Sequence, residues 1–288
     1  MPSRMYFVGV STGASSIQRI FPHWVRLAGI PDAILEGIDI AVGAPPQAYR
    51  DAANRMKQDP DCRGALVTTH KVALYRHAGD LFDAFDDDAR LLGEASCVVC
   101  RRGCLEGQAI DTLTGRLSLR ALLGGGTFQG EAIILGAGGA GLAMAVVLRR
   151  HHRPSRVLLT DVSQDRLWEI ASLVEAERIA VANPADHDRL IASLSPGCLI
   201  VNATGLGKDR PGSPVTENVR FPQDAIAWDF NYRGDLKLLE LARQAGVQGA
   251  DGWEYFLHGW SQIMARVLGF EVTPELMEGF RSAAEHER

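Results

Sequence analysis

The sequence lacks several features that mark particular classes of protein. It has only five cysteines, an odd number without a secretory context, so we expect the thiols to be reduced. It has no excess of positive charge, and a net charge of -5 argues against nucleic acid or an anionic membrane as the main partner. No basic and then apolar leader opens the chain, and the uncharged run 132–148 is too short and too rich in glycine to span a membrane. We therefore expect a soluble, cytoplasmic protein.

Two groups of potential metal ligands have simpler explanations. Cys97, Cys100 and Cys104 would suit a metal or redox site, but their surroundings predict a β-hairpin that turns at Arg102-Gly103. Strand residues three apart face opposite sides, so the first two thiols diverge. The acidic run 86–88 lies in a helical pattern, where successive side chains also diverge. A solvated helix face is therefore favoured over a metal site there.

The stretch from Glu131 to Asp161 predicts a dinucleotide-binding unit. An apolar run that suits a strand buried on both faces leads into a glycine-rich turn and a helix of small residues. In such a turn the first glycine permits the tight bend, the second lets backbone amides reach a pyrophosphate, and the third allows close packing. Asp161 lies about 20 residues beyond the last glycine, where a carboxylate can accept hydrogen bonds from ribose hydroxyls. The turn consists of Gly136, Ala137, Gly138, Gly139, Ala140 and Gly141.

Strand and helix patterns alternate along most of the chain, which predicts an α/β fold with a parallel, doubly wound sheet. The glycines at 124–126 mark the start of a second domain. Helical patterns cover residues 72–90 and 163–176, and two final helices are predicted at 252–268 and 274–285.

Several segments resemble, in order and spacing, the motifs of the shikimate/quinate dehydrogenase family. The resemblance extends over nearly the full chain, and the helix at 252–269 can be aligned with the family's closing helix without a gap. The matching segments are GALVTTHK at 64–71 (family G-x-N-V-T-x-P-x-K), GEASCVV at 93–99 (G-A-x-N-T-V), GQAID at 107–111 (G-x-N-T-D), the glycine turn (G-A-G-G-A), VNATGLG at 201–207 (I-N-A-T-x-x-G) and DFNY at 229–232 (D-x-x-Y). The first of these is one residue shorter than its motif and lacks the motif's Asn and Pro.

The resemblance implies a two-domain, NAD(P)-dependent oxidoreductase that acts on a secondary alcohol of a cyclic hydroxy acid. Residues 1–116 and 250–288 would form an α/β substrate and catalytic domain around a central Rossmann-type domain at 117–249. The catalytic pair would be Lys71 and Asp111. The cofactor-binding residues would be the glycine turn, Asp161, Asn202, Ala203, Thr204 and Gly205. The substrate-binding residues would be Thr12, Ser15, Thr68, Lys71, Ser96, Asp111, Tyr232, Gly259 and Gln262.

The chemistry of the reaction agrees with this pair. Oxidation of a secondary alcohol by hydride loss to a nicotinamide requires a group that takes the hydroxyl proton. An amine can do so when a dry cleft favours its neutral form, and a carboxylate nearby orients the ammonium and the substrate hydroxyl.

The segments depart from the family pattern mainly in the substrate pocket. Ser96 and Ala109 stand where the family has Asn, and Gly259 stands where it has a substrate-binding Gln, which Gln262 one turn later partly replaces. The loop at 11–16 offers hydroxyls but lacks the proline of the family's S-x-S-P. A site that loses hydrogen-bonding groups discriminates against the polyol that used them, so we expect a substrate other than shikimate.

The strand end Asp161-Val-Ser replaces the Asn-Arg-Thr that is typical of members using the phosphorylated cofactor. Because a carboxylate repels a 2′-phosphate, we expect NAD to be preferred, with NADP possible. Lys208, Arg210 and Arg233 would reverse this preference if they reached the phosphate. The expected partner is a small-molecule hydroxy acid, with no nucleic acid and no membrane, and the protein would be a monomer or homodimer.

Two alternatives remain at this stage. The chain could be a non-catalytic nucleotide-binding regulatory protein on the same fold, since fold alone does not establish function. It could also be a related two-domain dehydrogenase that acts on a folate or an amino acid. Lys71 and Asp111 argue against the first, and the loop at 202–205 with the closing helix argues against the second.

Overall fold

The structure is a computed structural model that describes residues 3–208 and 210–287, and it confirms the α/β class. The strands are β1 (Arg4–Gly9), β2 (Ile34–Asp39), β3 (Cys62–Val67), β4 (Ala84–Phe85), β5 (Cys97–Arg101), β6 (Cys104–Gln108), β7 (Glu131–Leu135), β8 (Arg156–Asp161), β9 (Glu177–Ala180), β10 (Leu199–Asn202), β11 (Ile226–Asp229) and β12 (Gln248–Ala250). The α-helices are α1 (Ile17–Leu27), α2 (Pro46–Gln58), α3 (Lys71–Ala78), α4 (Asp87–Leu92), α5 (Asp111–Leu122), α6 (Gly139–His151), α7 (Gln164–Glu169), α8 (Pro184–Ala192), α9 (Lys237–Gln244), α10 (Trp253–Leu268) and α11 (Pro274–Ala284).

The described residues divide into two compact units. The first unit, called the substrate unit below, is drawn from Met1–Ile110 and Leu257–Arg288, so both ends of the chain contribute to it. The second, called the nucleotide unit, is Asp111–Phe256. These limits lie a few residues from the domain limits 116 and 250 expected from the sequence. None of the described helices is both long and apolar enough to span a bilayer.

The sheet of the substrate unit is mixed, with the order β2-β1-β3-β5-β6-β4. Strands β1, β2 and β3 are parallel, while β5 runs antiparallel to β3 and pairs with β6 in a hairpin. The hairpin predicted from the sequence is confirmed: its turn is at Arg102 and Gly103, which have φ angles of 54° and 78°. Because β5 is antiparallel, its first residues lie at the same edge of the sheet as the last residues of β1 and β3. That edge brings together the candidate residues of this unit.

Helices α1 and α11 cover part of this unit through an aromatic contact. Trp24 stacks on Phe280 with ring centroids 4.5 Å apart, and the Trp24 indole N–H donates to the Phe280 carbonyl at 2.9 Å. Both side chains are buried, and the hydrogen bond satisfies the polar end of the indole. The contact fixes α11 against α1.

The sheet of the nucleotide unit is parallel throughout, with the order β12-β11-β10-β7-β8-β9. Strand β7, which comes first in the sequence, lies between β8 and β10. The direction of strand progression therefore reverses at β7, and in such sheets ligands bind beyond the carboxyl ends of the strands at that point. The predicted doubly wound parallel sheet is confirmed for this unit.

Two predicted helices are shorter than their apolar spacing indicated. The pattern at 163–176 gives only α7, which ends at Glu169. Beyond it, the Arg178 guanidinium donates to the carbonyls of Ala171 and Ala176 at 3.2 Å each, so the chain folds into turns around that side chain. The pattern at 72–90 is broken between α3 and α4 by the short strand β4.

The acidic run at 86–88 marks the start of a helix, where a solvated helix face was expected. The Asp86 carboxylate caps α4 by accepting from the Ala89 N–H at 2.7 Å, and it also accepts from the Ala109 N–H at 3.3 Å. Burial raises the pKa of Asp86, whereas the next residue, Asp87, is exposed. The sequence interpretation was therefore wrong for this first aspartate.

Candidate functional site

The turn between β7 and α6 requires glycine at two positions. Gly136 has a φ of +98°, a conformation that other residues rarely adopt, and a Cβ there would lie 2.9 Å from the Ala203 carbonyl oxygen. A Cβ on Gly141 would lie 1.9 Å from the Gly136 carbonyl oxygen. The first glycine thus permits the bend, and the last permits the close approach of helix and turn.

The same turn leaves an open cradle at the start of α6. A Cβ on Gly138 would meet nothing within 4 Å, and no side chain caps the helix. The first N–H groups of a helix have no partner within it, and the helix dipole favours negative charge at this end. The turn therefore fits the pyrophosphate of a dinucleotide.

The loop that follows β10 forms the other side of this cradle. Asn202 is buried, and its amide donates to the Asp229 carboxylate at 2.8 Å. Its side-chain oxygen accepts from the Thr204 N–H at 3.1 Å and from the Thr204 hydroxyl at 2.7 Å. Ala203 joins this loop to β7 by donating its N–H to the Leu135 carbonyl at 2.8 Å. The structure thus places the loop at 202–205 beside the glycine turn.

Asp161 lies at the carboxyl end of β8 and holds two backbone groups. One carboxylate oxygen accepts from the Ala137 N–H at 2.8 Å and the other from the Ser163 N–H at 2.9 Å. Each oxygen keeps a second lone pair, so the carboxylate can also accept from ribose hydroxyls.

Sequence reasoning missed a cation beside Asp161. Arg166 on α7 donates its Nε–H to the Ala137 carbonyl at 2.9 Å and pairs with Glu169. Its Nη2 atom is buried and has no hydrogen-bond partner. Arg166 is the third residue of α7, and its side chain reaches the glycine turn.

Lys71 is the first residue of α3, at the sheet edge defined above for the substrate unit. Its side chain is only 13% exposed, and its Nζ lies 3.4 Å from a carboxylate oxygen of Glu94, whose side chain is fully buried. Thr68, at the end of β3, lies beside β1, and its Oγ1 would be 3.2 Å from a Cβ on Gly9. Lys71 and Thr68 are therefore brought to one place, and Glu94 is a neighbour that the motifs did not indicate.

The residue before Lys71, His70, is held by side-chain contacts of its own. His70 is buried, with its Nε2 2.7 Å from the Ile40 carbonyl and its Nδ1 3.5 Å from the Tyr49 hydroxyl. These contacts tie the start of α3 to the end of β2 and to α2.

Thr12 and Ser15 lie in the loop after β1, at the same edge of the sheet. Thr12 is buried, and both its N–H and its hydroxyl donate to one Asp39 oxygen, at 2.8 and 2.6 Å. These two hydrogen bonds lower the pKa of Asp39. Ser15 is also buried, and its N–H donates to the Thr12 carbonyl at 3.2 Å. The Thr12 hydroxyl is thus engaged within the protein, which makes Ser15 the stronger candidate donor to a substrate.

Ser96 and Ala109 are both buried at the base of the hairpin. The Ser96 hydroxyl oxygen accepts from the Ile110 N–H at 2.8 Å, so it connects the two ends of the hairpin. Neither side chain extends as far as the family's asparagine would.

The remaining candidates lie on several elements. Gly259 and Gln262 are on α10, in the part that belongs to the substrate unit, and the Gln262 side chain lies 3.5 Å from Arg266. Asp111 begins α5 and is the first residue of the nucleotide unit. Tyr232 follows β11 and packs against Trp253 and Phe256 in an aromatic cluster of the same unit.

The cysteines do not group with other ligands. Across residues 3–208 and 210–287, no three His, Cys, Asp or Glu side chains are arranged to hold a metal ion. Burial raises the pKa of Cys97 to about 12, which keeps that thiol protonated near neutral pH.

Comparison with known proteins identifies the family of the chain. No protein-family model matches the chain. It is 30% identical to the shikimate dehydrogenase (NADP(+)) of Methylobacterium radiotolerans, over 96% of this chain and 95% of that protein. It is also 30% identical to the shikimate dehydrogenase (NADP(+)) of Methylocella silvestris, over 95% and 94%.

Solved structures share the fold over the whole chain. The shikimate dehydrogenase of Aquifex aeolicus superposes with a TM-score of 0.79 at 22% identity, covering 97% of both chains. The quinate dehydrogenase of Corynebacterium glutamicum in complex with NAD has a TM-score of 0.75 at 22% identity, covering 98% of this chain and 99% of that one. With its glycine turn, its Lys71 segment and these relatives, the chain belongs to the shikimate/quinate dehydrogenase family of oxidoreductases.

Proposed function

We propose that the protein is an NAD(P)-dependent dehydrogenase that oxidises a secondary alcohol of a cyclic hydroxy acid, with Lys71 as the acid-base residue and Asp111 as its partner. The nicotinamide, when bound, accepts the hydride from the alcohol carbon. Lys71 takes the hydroxyl proton on its neutral Nζ and returns it to the carbonyl oxygen in the reverse direction. The family relationship supports the reaction type.

The observation that carries this proposal is the place of Lys71. It lies at the carboxyl edge of the sheet beside Thr68, and its side chain is mostly buried. A lysine on a protein surface is usually solvated, so a buried lysine at this edge indicates a specific task. Thr68 and Ser15 are available at the same edge to bind and orient polar groups of the substrate.

The cofactor would be held by the nucleotide unit. The amides at the start of α6 would bind the pyrophosphate, and Asp161 would accept from the adenosine ribose hydroxyls. Asp161 supports a preference for NAD, because a carboxylate repels a 2′-phosphate. Both named relatives carry NADP(+) in their names, whereas the quinate dehydrogenase was solved with NAD.

The substrate we propose is a hydroxy acid with fewer or differently placed hydroxyls than shikimate. Ser96, Ala109 and Gly259 stand where the family pattern has amide side chains. A buried hydrogen-bonding group left without a partner costs about 1–3 kcal/mol. Two or three such losses would lower the efficiency on shikimate by orders of magnitude relative to the cognate substrate.

A panel of cyclic and linear hydroxy acids, each tested with NAD and with NADP, examines this proposal. The measurement is the absorbance of the reduced nicotinamide as a function of substrate concentration. We expect turnover of at least one hydroxy acid, and weak or undetectable oxidation of shikimate. Absence of turnover across the panel, together with binding of the cofactor, would favour a regulatory nucleotide-binding protein instead.

A variant that restores the three amides tests whether their loss excludes shikimate. The triple variant Ser96→Asn, Ala109→Asn, Gly259→Gln is expected to raise kcat/KM for shikimate relative to the wild type. A wild-type enzyme that oxidises shikimate as well as any other member of the panel would contradict this reading of the pocket.

A further inference from the structure

The Glu94 side chain is an unusual neighbour for the proposed acid-base residue. It is fully buried, and one of its carboxylate oxygens lies 3.4 Å from the Nζ of Lys71. Lys71 itself is 13% exposed in its side chain, so solvent screens this ion pair only weakly. The charge of Lys71 therefore faces a carboxylate from within its own unit.

The backbone fixes this pair on both sides. Gly93 ends α4 in the left-handed conformation, with a φ of 62°, and the Glu94 N–H donates to the Ala89 carbonyl at 3.2 Å. The next residue, Ala95, donates its N–H to the Lys71 carbonyl at 3.1 Å. Glu94 and Lys71 are thus joined through the main chain as well as through their side chains.

The burial of the Glu94 carboxylate indicates that its pairing with Lys71 is specific. An isolated buried carboxylate is strongly disfavoured, so buried acids are normally paired or hydrogen-bonded. Asp86, a partly buried acid of the same unit, is accounted for by the two backbone N–H groups that it binds. Glu94 instead faces the one lysine that the family resemblance identifies as catalytic.

Glu94 also departs from the family motif. In the segment GEASCVV it occupies the second position, where the family pattern G-A-x-N-T-V has alanine. Alanine cannot pair with a lysine. The carboxylate beside Lys71 is therefore an addition to the motif, found in the same unit whose pocket has lost the family's amides.

We propose that Glu94 is a positioning residue for Lys71, in addition to the Asp111 of the family pattern. Its carboxylate holds Nζ in one place and stabilises the ammonium that forms when the hydroxyl proton of the alcohol is transferred to Lys71. In this step the O–H bond of the alcohol breaks and a new N–H bond forms on Nζ. The hydride on the carbon that carries this hydroxyl leaves to the nicotinamide. The inference rests on the proposed function of Lys71.

The first test measures Lys71 without any substrate. Each amine of the folded protein is labelled briefly with acetic anhydride at fixed pH, and the rate at Lys71 is compared with that at Lys57 by mass spectrometry. Because an opposite charge favours the charged form of an amine, Glu94→Gln should make Lys71 several-fold more reactive than in the wild type. Lys57, which pairs with Asp83 and donates to the Leu81 carbonyl at 2.8 Å, should be unchanged. An unchanged ratio of Lys71 to Lys57 labelling would overturn the proposal.

The second test separates positioning from folding by kinetics, using NAD and the best hydroxy acid of the panel. Glu94→Gln should lower kcat about tenfold or more with little change in KM, and Glu94→Asp should recover part of the loss. Glu106→Gln, an exposed carboxylate of the same unit, is the matched control and should behave as the wild type. A kcat within twofold of the wild type in Glu94→Gln would refute the role. If this variant does not fold, Glu94→Ala, which restores the family residue, decides on the same criterion.

A third variant distinguishes this inference from the proposed function. In a Lys71→Met background, Glu94→Gln should cause no further loss of turnover, because the group it positions is gone. Near-normal turnover of Lys71→Met would overturn both the role of Lys71 and that of Glu94. A strong loss in Lys71→Met with normal turnover in Glu94→Gln would leave the function standing and remove Glu94 from it.

Discussion

The two units differ in how closely their residues match the family motifs. In the nucleotide unit the glycine turn and the loop at 202–205 match the pattern, and the backbone geometry explains Gly136 and Gly141. In the substrate unit the lysine is present, whereas Ser96 and Glu94 differ from the family residues. Under the proposed function, cofactor binding depends on the first set and the choice of substrate on the second. We therefore expect this chain to share the family's reaction type and to differ in its preferred substrate.

The same contrast appears in two buried carboxylates. Asp229 of the nucleotide unit is 1% exposed and accepts from the Asn202 amide at 2.8 Å and from the Asn231 N–H at 2.8 Å. These neutral donors hold a loop in place. Glu94 of the substrate unit faces an ammonium instead. We interpret the first carboxylate as a part of the scaffold and the second as a part of the chemistry.

The largest expected effect comes from removing the amine of the substrate unit. Lys71→Ala should lower kcat by about 10²–10⁴-fold, the usual scale for the loss of a general acid-base group. Cofactor affinity, measured by quenching of tryptophan fluorescence, should change little because Lys71 belongs to the other unit. Lys57→Ala is the control for a lysine of the same unit. Near-normal turnover of Lys71→Ala on the best substrate would show that the assignment is wrong.

The scaffold role of Asp229 predicts a pH-dependent stability. Burial raises the pKa of Asp229 to about 6, although the hydrogen bonds from Asn202 and Asn231 act in the opposite direction. Because the folded state binds this proton more tightly than the unfolded state, the stabilisation is complete below about pH 4 and is lost as the pH rises through 6.

The comparison of wild type with Asp229→Asn isolates this contribution from the other carboxylates. Between pH 4 and pH 7 the wild type should lose up to about 3 kcal/mol of unfolding free energy relative to the variant, since each pKa unit corresponds to about 1.4 kcal/mol. Urea unfolding at several pH values measures the difference. A difference that does not vary with pH would mean that Asp229 is ionised in the folded protein throughout this range.

Replacing each of two glycines of the same turn by alanine should change the stability of the protein to different extents. A Cβ at Gly141 would lie 1.9 Å from a backbone oxygen, so Gly141→Ala should lower the stability of the free protein by about 1–3 kcal/mol, as overpacking does. Gly138→Ala has open space around it and should leave that stability unchanged while weakening cofactor binding. Thermal unfolding with and without NAD distinguishes the two. Equal destabilisation of the free protein by both substitutions would contradict this geometry.

The smallest expected effect concerns the choice of cofactor. Asp161→Asn should raise kcat/KM with NADP relative to NAD by about tenfold, because the charge that repels a 2′-phosphate is removed. Asp165→Asn, an exposed acid in the first turn of α7, is the control. Higher efficiency with NADP in the wild type would show that a nearby cation, Arg166 being in place for it, outweighs Asp161.

The local part of this structure could be predicted from the sequence, and the tertiary part of the site could not. The glycine turn, the hairpin turn at Arg102-Gly103 and the alternation of strands and helices depend on neighbours in the chain, and periodicity indicates them. The extent of α7 depends on Arg178, which binds carbonyls beyond the end of the helix, and no spacing rule indicates that contact.

The same limit explains the residues that sequence reasoning missed. Glu94 and Lys71 are far apart in the chain and lie together where the Ala95 N–H donates to the Lys71 carbonyl. The one available sign was a charged residue where the family motif has alanine. Arg166 gave no sign at all, since an arginine in a short helix is ordinary. The pairing of Thr12 with Asp39 likewise requires the register of β1 and β2.

The contact between Thr12 and Asp39 has a consequence for how this enzyme selects its substrate. Gly37 leaves the space for it, because a Cβ there would lie 2.0 Å from the Thr12 hydroxyl oxygen. The loop after β1 is therefore ordered during folding, and its conformational entropy is already lost before any ligand arrives. If this loop binds the substrate as proposed, binding requires no further ordering of the loop, so less of the free energy of each hydrogen bond is offset by lost entropy. A preorganised loop of this kind does not adapt to a molecule of the wrong shape and so disfavours its binding.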